Sequence, residues 1–512
     1  MSKNTVVIAA DIGTTSAKAL AVGLDGCVRA VHAKGYPLLS PEPDAAEQDP
    51  DVIADAVFEC VREAVRKSGA APDDVLCVSF SAAMHSLIAL DAGNRPLTRS
   101  ITWADRRAQA FADELNADGT GLSVYRRTGT PIHPMSPLVK LRWLRRERPD
   151  VFRRAAKFVG IKEYIFHLLF GRYVVDYSIA STTGMFNLQQ CGWDAEAMEL
   201  AGVQPHRLPE PLPATSVLSG ISEADASRLG LRPDTPFVIG ASDGALANLG
   251  AGVMGSDRLA VTVGTSGAVR KTVDRPVLDE RGRLFCYALA ENRWVIGGAT
   301  NNGAIVLQWM RDQLYAQRDQ AGTEREDAFD RMLEEAEAAG CGAGGLLFLP
   351  LLAGERAPFW NGSARGVFFG LSLRHERKHM VRAAMEGVMF QIAAIASLLE
   401  APEAGGKPAE ALAGGGFAKS PLWCQILADM LGIPVAIPDT VESSGLGAAR
   451  LGMYAVGAVN ALEHDWGQSA PLRYEPAGER HGTYRELFGM YMRLYEQVKE
   501  LFPPISRFQR NE

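Results

Sequence analysis

The chain has few cysteines and none in a pattern that carries chemistry. There are seven in 512 residues, at positions 27, 60, 77, 191, 286, 341 and 424, with no CxxC pair. An odd, scattered set excludes a disulfide framework or a zinc ribbon and is expected of a reducing compartment. Long apolar runs are also missing. Leu346–Leu352 and Val388–Leu399 are the longest, and they carry Pro350 and Gln391. Neither reaches the roughly 20 residues that a membrane-spanning helix needs. The N-terminal stretch MSKNTVVIAADIG meets Asp11 at once, which reads as a strand and not a signal peptide. A cytoplasmic location is the expectation. No excess of positive charge exists either: 53 Lys+Arg stand against 60 Asp+Glu, a net charge of −7. Nucleic acid needs a basic footprint, so it is not expected as a partner, and neither is a membrane. Finally, GxxxxGK[ST] is absent, which excludes a P-loop.

What is present is a globular composition, 47% hydrophobic and 22% charged, on a chain long enough for more than one domain. Glycine is in excess, at 51 residues. Tight turns and close backbone approach to a ligand account for such an excess.

Residues 5–12 (TVVIAADI) read as a buried strand. A Gly-Thr-Thr turn leads into SAKALAVGL, and Asp25-Gly26 turns into a third strand, VRAVHAKGYPL. Pro50 opens a helix whose stripe includes Ile53, Val57, Cys60 and Val61, and VLCVSFSA is the next strand. The β-β-β-α-β order is not a plain Rossmann alternation.

A repeat gives the organisation. AADIGTTSAK near residue 10 and AVTVGTSGAVR near residue 265 are each a strand, a Gly-Thr-(Thr/Ser) turn and a second strand. Two copies about 250 residues apart predict two α/β lobes with the same core hairpin, residues 1–252 and 253–512. The charged, then Gly-rich, segment Gln317–Gly345 reads as a helix and loop.

In Asp11-Ile-Gly-Thr14-Thr15-Ser-Ala-Lys18, glycine lets the turn approach a phosphate. Backbone N–H groups and the Thr hydroxyls then donate to its oxygens. Asp11 can hold Mg²⁺ directly or through water, and Lys18 supplies a cation. Gly264-Thr265-Ser266 is the second copy, suited to clamp a triphosphate from the other side. Gly414-Gly415-Gly416 precedes a helical segment and suits the adenosine or α-phosphate of ATP. Ser443-Ser444-Gly445-Leu-Gly447 reads as a small-residue helix start packing closely on that same second lobe. Asp243 stands where the strand PFVIGA gives way to a helix. A carboxylate there can take a proton from a substrate hydroxyl, or can cap the helix, a role Ser242 fits equally.

Two patterns mislead. His375-Glu-Arg-Lys-His379 matches HExxH, but Arg374, Arg377 and Lys378 surround it and an exposed helix start explains it better. Gly250–Gly255 matches GxGxxG but follows helix-like sequence and not a strand.

With both hairpins and the glycine triplet placed, the sequence resembles the FGGY carbohydrate kinases over nearly its whole length. Met135-Ser-Pro137-Leu-Val-Lys140-Leu-Arg-Trp143 fits the family's first signature. Gly366-Val-Phe-Phe-Gly370-Leu371 followed by His379 to Glu386 fits the second. The resemblance implies two ribonuclease-H-like, actin-like lobes around a central cleft for ATP and sugar. It implies Asp11 for Mg²⁺–ATP, with Thr14, Thr15, Thr265 and Ser266 on phosphates. The glycines 414–416 would line the adenosine pocket, and Asp243 would be the general base. Met84 and His85 would face the sugar, with Ser86 where related kinases have glycine. Trp103, Asp105 and Arg106 would complete the sugar pocket.

Segments such as Ser79–Ser86, Thr102–Arg106 and Thr128–Pro137 resemble the gluconate-phosphorylating members. That implies ATP-dependent conversion of D-gluconate to 6-phospho-D-gluconate. A kinase for D-xylulose or another polyol is the alternative, and an actin-like ATPase is an alternative of a different class. An aldonate carries a carboxylate, so the pocket should hold a cation, and Arg106, Arg107, Lys162 and His133 are candidates. The oligomeric state, a homodimer included, stays open.

Overall fold

The computed structural model describes residues 4–315, 325–438, 442–463 and 472–510. Val6–Ile12 (β1) and Ser16–Gly23 (β2) form the expected hairpin, with Asp11 opposite Lys18. Val28–Gly35 (β3) pairs antiparallel with β2. Pro50–Ser68 (α1) starts at Pro50 behind an Asp49 cap and ends at Gly69 in the left-handed region. Its Ile53, Val57, Cys60 and Val61 are buried, as the apolar spacing predicts. Val75–Ala82 (β4) then pairs parallel to β1, with Asp11 beside Ser81 and Ile12 beside Ala82.

A helical insertion follows. It includes Pro137–Glu147 (α2) and Ile161–Phe170 (α3), and its core gathers Leu138, Leu141, Leu144 and Phe158. The chain returns to the sheet as Phe237–Ser242 (β5), parallel to β4 with Ser242 beside Ala82. Asp243–Gly250 (α4) follows directly. The six-stranded sheet runs Val217–Leu218, β5, β4, β1, β2, β3.

The second copy of the hairpin is Arg258–Val263 (β6) and Gly267–Val273 (β7), antiparallel, with Arg293–Thr300 (β8) next to β7. Arg377–Leu398 (α5) is long and apolar enough to cross a membrane, but 89% of that window is buried inside the fold. Glu410–Gly414 (β9) lies parallel to β6, with Gly414 beside Thr262. Pro421–Leu431 (α6), capped by Ser420, leads to Val435–Ile437 (β10), parallel to β9. Within Gln317–Gly345, Arg325–Ala339 is the expected helix, and residues 317–324 lie outside the described ones.

Ser443–Ala455 (α7) changes the expected partition. One compact unit takes Met1–Met254, Thr272–Ile296 and Glu442–Gln468; the other takes Gly255–Lys271, Gly297–Val441 and Ser469–Glu512. The chain leaves the first unit after Met254, returns to it over Thr272–Ile296, and returns again at Glu442. However, α7 packs on α4 and β1 in the first unit, not on the glycine-triplet lobe. Its small residues are the reason. A Cβ on Gly447 would sit 2.0 Å from the Leu246 carbonyl oxygen, and one on Gly250 would sit 1.8 Å from that of Ser443. Only glycines let the two helix backbones approach so closely.

Candidate active site

In the first unit, three neighbouring parallel strands bring the expected residues to one end of the sheet. β1 ends at Asp11-Ile12, β4 runs into Met84-His85, and β5 runs into Asp243. Ligands of open α/β sheets bind outside the carboxyl ends of the strands.

The turn after β1 is tied on several sides. Gly13 N–H donates to the Ser16 carbonyl, and the Tyr36 hydroxyl donates to the Gly13 carbonyl at 2.5 Å. Gln48 Nε2 donates to the Thr14 carbonyl at 2.6 Å. Trp103 Nε1 donates to Thr14 Oγ1 at 2.9 Å, which joins two predicted site residues. Thr15 is exposed at the tip. Asp11 Oδ2 accepts from the Ser444 hydroxyl at 2.8 Å, while buried Oδ1 has no partner among the described residues. An orphaned carboxylate oxygen beside a Gly-Thr-Thr turn fits a hard cation such as Mg²⁺.

Lys18 departs from expectation. Its ammonium lies 2.7 Å from both carboxylate oxygens of Glu442, so its charge is compensated by the residue just before α7. Lys18 ties the hairpin to α7.

A recess is lined by Thr14, Met84, Ser86, Thr102 and Trp103, among others. Three of its lining residues, Thr14, Met84 and Trp103, were singled out from sequence. His85 does not line it. Its backbone is left-handed (φ 71°), its Nδ1 lies 2.9 Å from the Thr182 carbonyl, and it lines a neighbouring cavity together with Glu163. Ser86 borders both, and its hydroxyl accepts the Ile161 N–H at the start of α3. Burial pushes the Glu163 carboxyl up to about 7, and its Oε1 is unpartnered among the described residues.

The expected pairing of Asp105 with Arg106 on a ligand is not what the loop shows. Asp105 is 2% exposed, and its oxygens accept from Ala46 N–H and from Arg107. Arg107 is held by Glu42, Glu47 and Asp105 and lies over the Trp143 ring. Arg106 is exposed, its guanidinium has no ion-pair partner among the described residues, and its N–H donates to the Asp44 carbonyl. Lys162 is buried 2.5 Å from Asp176, and His133 Nδ1 accepts the Met135 N–H. Of the four candidate cations, Arg107 and Lys162 are therefore neutralised within the fold.

At the third strand the capping ambiguity resolves. Ser242 is the cap, its Oγ accepting from Ala245 N–H, and Asp243 is the first helical residue. Asp243 Oδ1 accepts from Gly244 N–H at 2.7 Å, and the side chain is half-buried.

In the second unit the two remaining turns sit side by side, because β6 and β9 are parallel neighbours. The Gly264-Thr265-Ser266 turn is closed by Gly264 N–H on the Ser266 carbonyl, and Thr265 is exposed. Gly415 has φ 94° and ψ −177°, and a Cβ there would lie 2.5 Å from the Val263 carbonyl oxygen. A Cβ at Gly414, Gly416 or Gly264 would meet nothing within 4 Å, so these backbones face open space.

The HExxH residues serve a helix start. Glu376 and His379 form a capping box at the head of α5, and His375 Nδ1 accepts the Ser372 N–H. Tyr36, Gln48 and Glu442 were not singled out from the sequence, and Ser444 was marked only as part of a helix start; all four hold the turn, its aspartate or its hairpin from distant positions. Their spacing carried no signal.

Sheet order and the repeated strand–turn–strand hairpin define an α/β fold of two units, and its family matches make it a carbohydrate kinase. Residues 6–250 match the N-terminal domain, and 259–456 the C-terminal domain, of the FGGY family of carbohydrate kinases. The chain belongs to that family. It is 43% identical to a gluconokinase of Bacillus licheniformis, over 98% of both chains. It is also similar to the crystal structure of a gluconate kinase from Lactobacillus acidophilus, with TM-score 0.92 and 36% identity over 98% of this chain and 99% of that one. A ligand-bound xylulose kinase structure from the same organism matches with TM-score 0.92 and 36% identity over 98% and 100%.

Proposed function

We propose that the protein transfers the γ-phosphoryl group of ATP to the terminal hydroxyl of D-gluconate, giving 6-phospho-D-gluconate and ADP. The observation that carries this reading is the meeting of Asp11, Met84 and Asp243 at the ends of three neighbouring parallel strands. The likeness to gluconate kinases supports the choice of acceptor.

In this reading the first unit holds the acceptor and the first phosphate turn, and the second unit holds the nucleotide. Gluconate lies in the recess of Thr14, Met84 and Trp103. Asp243 accepts the proton of the attacking hydroxyl as its oxygen bonds to the γ-phosphorus and the bond to the β-phosphate oxygen breaks. Backbone N–H groups and hydroxyls of Thr14, Thr15, Thr265 and Ser266 bind phosphate oxygens, with Gly264 giving close approach. Gly414, Gly415 and Gly416 make room for adenosine. Asp11, through its unpartnered oxygen, would hold Mg²⁺, which when bound neutralises phosphate charge. Arg106 meets the aldonate carboxylate, and Asp105 keeps Arg106's loop in place through Arg107.

Xylulose is the second reading, supported by the equal structural likeness to the Lactobacillus xylulose kinase. An ATP-coupled assay across gluconate, other aldonates, xylulose and glycerol tests the choice. Gluconate should give the highest kcat/KM; a higher value for xylulose moves the assignment to that sugar. No turnover with any of them refutes the kinase reading.

A further inference from the structure

Lys140, in the first family signature, has no part in the chemistry above, yet it is fully buried with 0% exposure. Its ammonium donates to three backbone carbonyls: His85 at 2.6 Å, Thr102 at 2.7 Å and Ile101 at 3.2 Å. The three acceptors belong to two separate segments. One follows β4 and carries Met84, His85 and Ser86; the other precedes Trp103. These two segments supply much of the lining of the recess that holds Thr14, Met84 and Trp103. No carboxylate lies within ion-pair distance of the ammonium among the described residues, though Asp105 and Arg107 act on it at longer range.

A buried ammonium on neutral carbonyls is an expensive way to fill space, because its desolvation is offset by no directly paired carboxylate, only by Asp105 at longer range. An apolar side chain on α2 would fill the volume. The lysine instead does something a methionine cannot: three donors in fixed directions aim three carbonyls. One of those carbonyls belongs to His85, whose left-handed φ of 71° is rare for a non-glycine residue. Such strain persists only where the surroundings over-determine it, and Lys140 with the Thr182 carbonyl does so here.

We propose that Lys140 is a positioning residue for acceptor specificity, a clamp that fixes the spacing between the Met84–Ser86 wall and the Thr102–Trp103 wall of the recess. The inference rests on the recess being the acceptor pocket. Lys140 touches no substrate. It acts by holding the segments that carry Met84 and Trp103 in fixed relation to each other, and it leaves the nucleotide turns of the second unit alone.

The experiment compares wild type with Lys140→Met, Lys140→Gln and Trp103→Ala, measuring KM for gluconate, KM for ATP, kcat and thermal unfolding. Lys140→Met should raise KM for gluconate tenfold or more and leave KM for ATP within about twofold. Lys140→Gln, which keeps an amide donor, should fall between and serves if the methionine variant does not fold. A residue that only supports the fold would lower Tm without separating the two KM values, and equal or absent changes in a folded Gln variant overturn the clamp. Trp103→Ala tests the underlying reading: an unchanged KM for gluconate there removes the recess as the acceptor site, whatever Lys140 does.

Discussion

The Ser444 hydroxyl donates to Asp11 Oδ2 at 2.8 Å, joining residues 433 positions apart in the chain. The contact exists because α7, late in sequence, returns to pack on β1. It fixes one oxygen of the aspartate and turns the other, Oδ1, to a buried position with no partner among the described residues.

Asp11→Asn should raise the Mg²⁺ concentration needed for half-maximal rate and slow turnover, because a neutral amide is a poor ligand for a hard cation. Ser444→Ala should do the same more weakly, by releasing the carboxylate from its set orientation. His375→Ala, at the exposed cap of α5, should change neither. A Mg²⁺ titration of the three variants checks the order; an unchanged requirement in Asp11→Asn would remove it as the metal residue.

Asp243→Asn should lower kcat by about 10²–10⁴-fold, the usual loss when a general base is removed. Nucleotide binding should survive, since the paired turns Gly264–Ser266 and Gly414–Gly416 belong to the other unit. Ser242, not Asp243, caps α4, so the helix keeps its start in this variant. Steady-state rates with a nucleotide-binding measurement separate the two effects. A rate within a few-fold of wild type in folded protein contradicts the assignment.

The hairpins, α1 and the strand-end positions of Asp11 and Asp243 were legible because each depends on local pattern: β-branched runs, a Pro at a helix start, a glycine turn. The lobe assignment of α7 was not legible. Gly447 and Ser444 mark a close-packed helix, but nothing in their spacing names its partner, and proximity to the glycine triplet in sequence pointed to the wrong unit. Charges were misread for a related reason. Lys18, Arg107 and Lys162 look available in a sequence, and their compensating partners Glu442, Glu42 and Glu47, and Asp176 become visible only once the chain is folded.

Arg106→Ala should reduce kcat/KM for gluconate by roughly ten- to a hundredfold, the equivalent of a charged hydrogen bond of about 1.5–3 kcal/mol. The loss with xylulose should be smaller, because that sugar has no carboxylate. Arg107→Ala should instead destabilise the protein, since Glu42, Glu47 and Asp105 would lose a shared partner. Parallel kinetics with both sugars and a Tm for each variant check this. Equal losses for the two sugars in Arg106→Ala would make it structural.

Gly415→Ala should raise KM for ATP with little change in KM for gluconate. The backbone there lies in a region essentially reserved for glycine, at a cost of about 1–3 kcal/mol for another residue. The new methyl would also press on the Val263 carbonyl, on the strand that leads into the Gly264–Ser266 turn. Competition by a fluorescent nucleotide reads the effect directly, and unaltered nucleotide affinity would detach the triplet from ATP.

Glu163 gives a pH-dependent signature of stability. Burial raises its carboxyl from the ordinary 4.5 to about 7, with Asp176 adding to the rise and Lys162 opposing it. Between those values the folded protein keeps a proton that the unfolded chain has released. Folding stability from this group therefore falls as pH rises from 4.5 to 7, and the penalty is complete above 7. Its size is roughly 3 kcal/mol. Glu163→Gln carries no titrating proton and has no such slope. The stability of the variant relative to wild type should climb between pH 5 and pH 7 and then level off. Titrating groups that do not interact with Glu163, buried Lys140 among them, are common to both proteins and cancel in the difference. Thermal unfolding of both proteins at pH 5, 6, 7 and 8 measures it. Curves that stay parallel across that range would mean that Glu163 keeps an ordinary acidity in the fold, and that its unpartnered oxygen is satisfied within the neighbouring cavity.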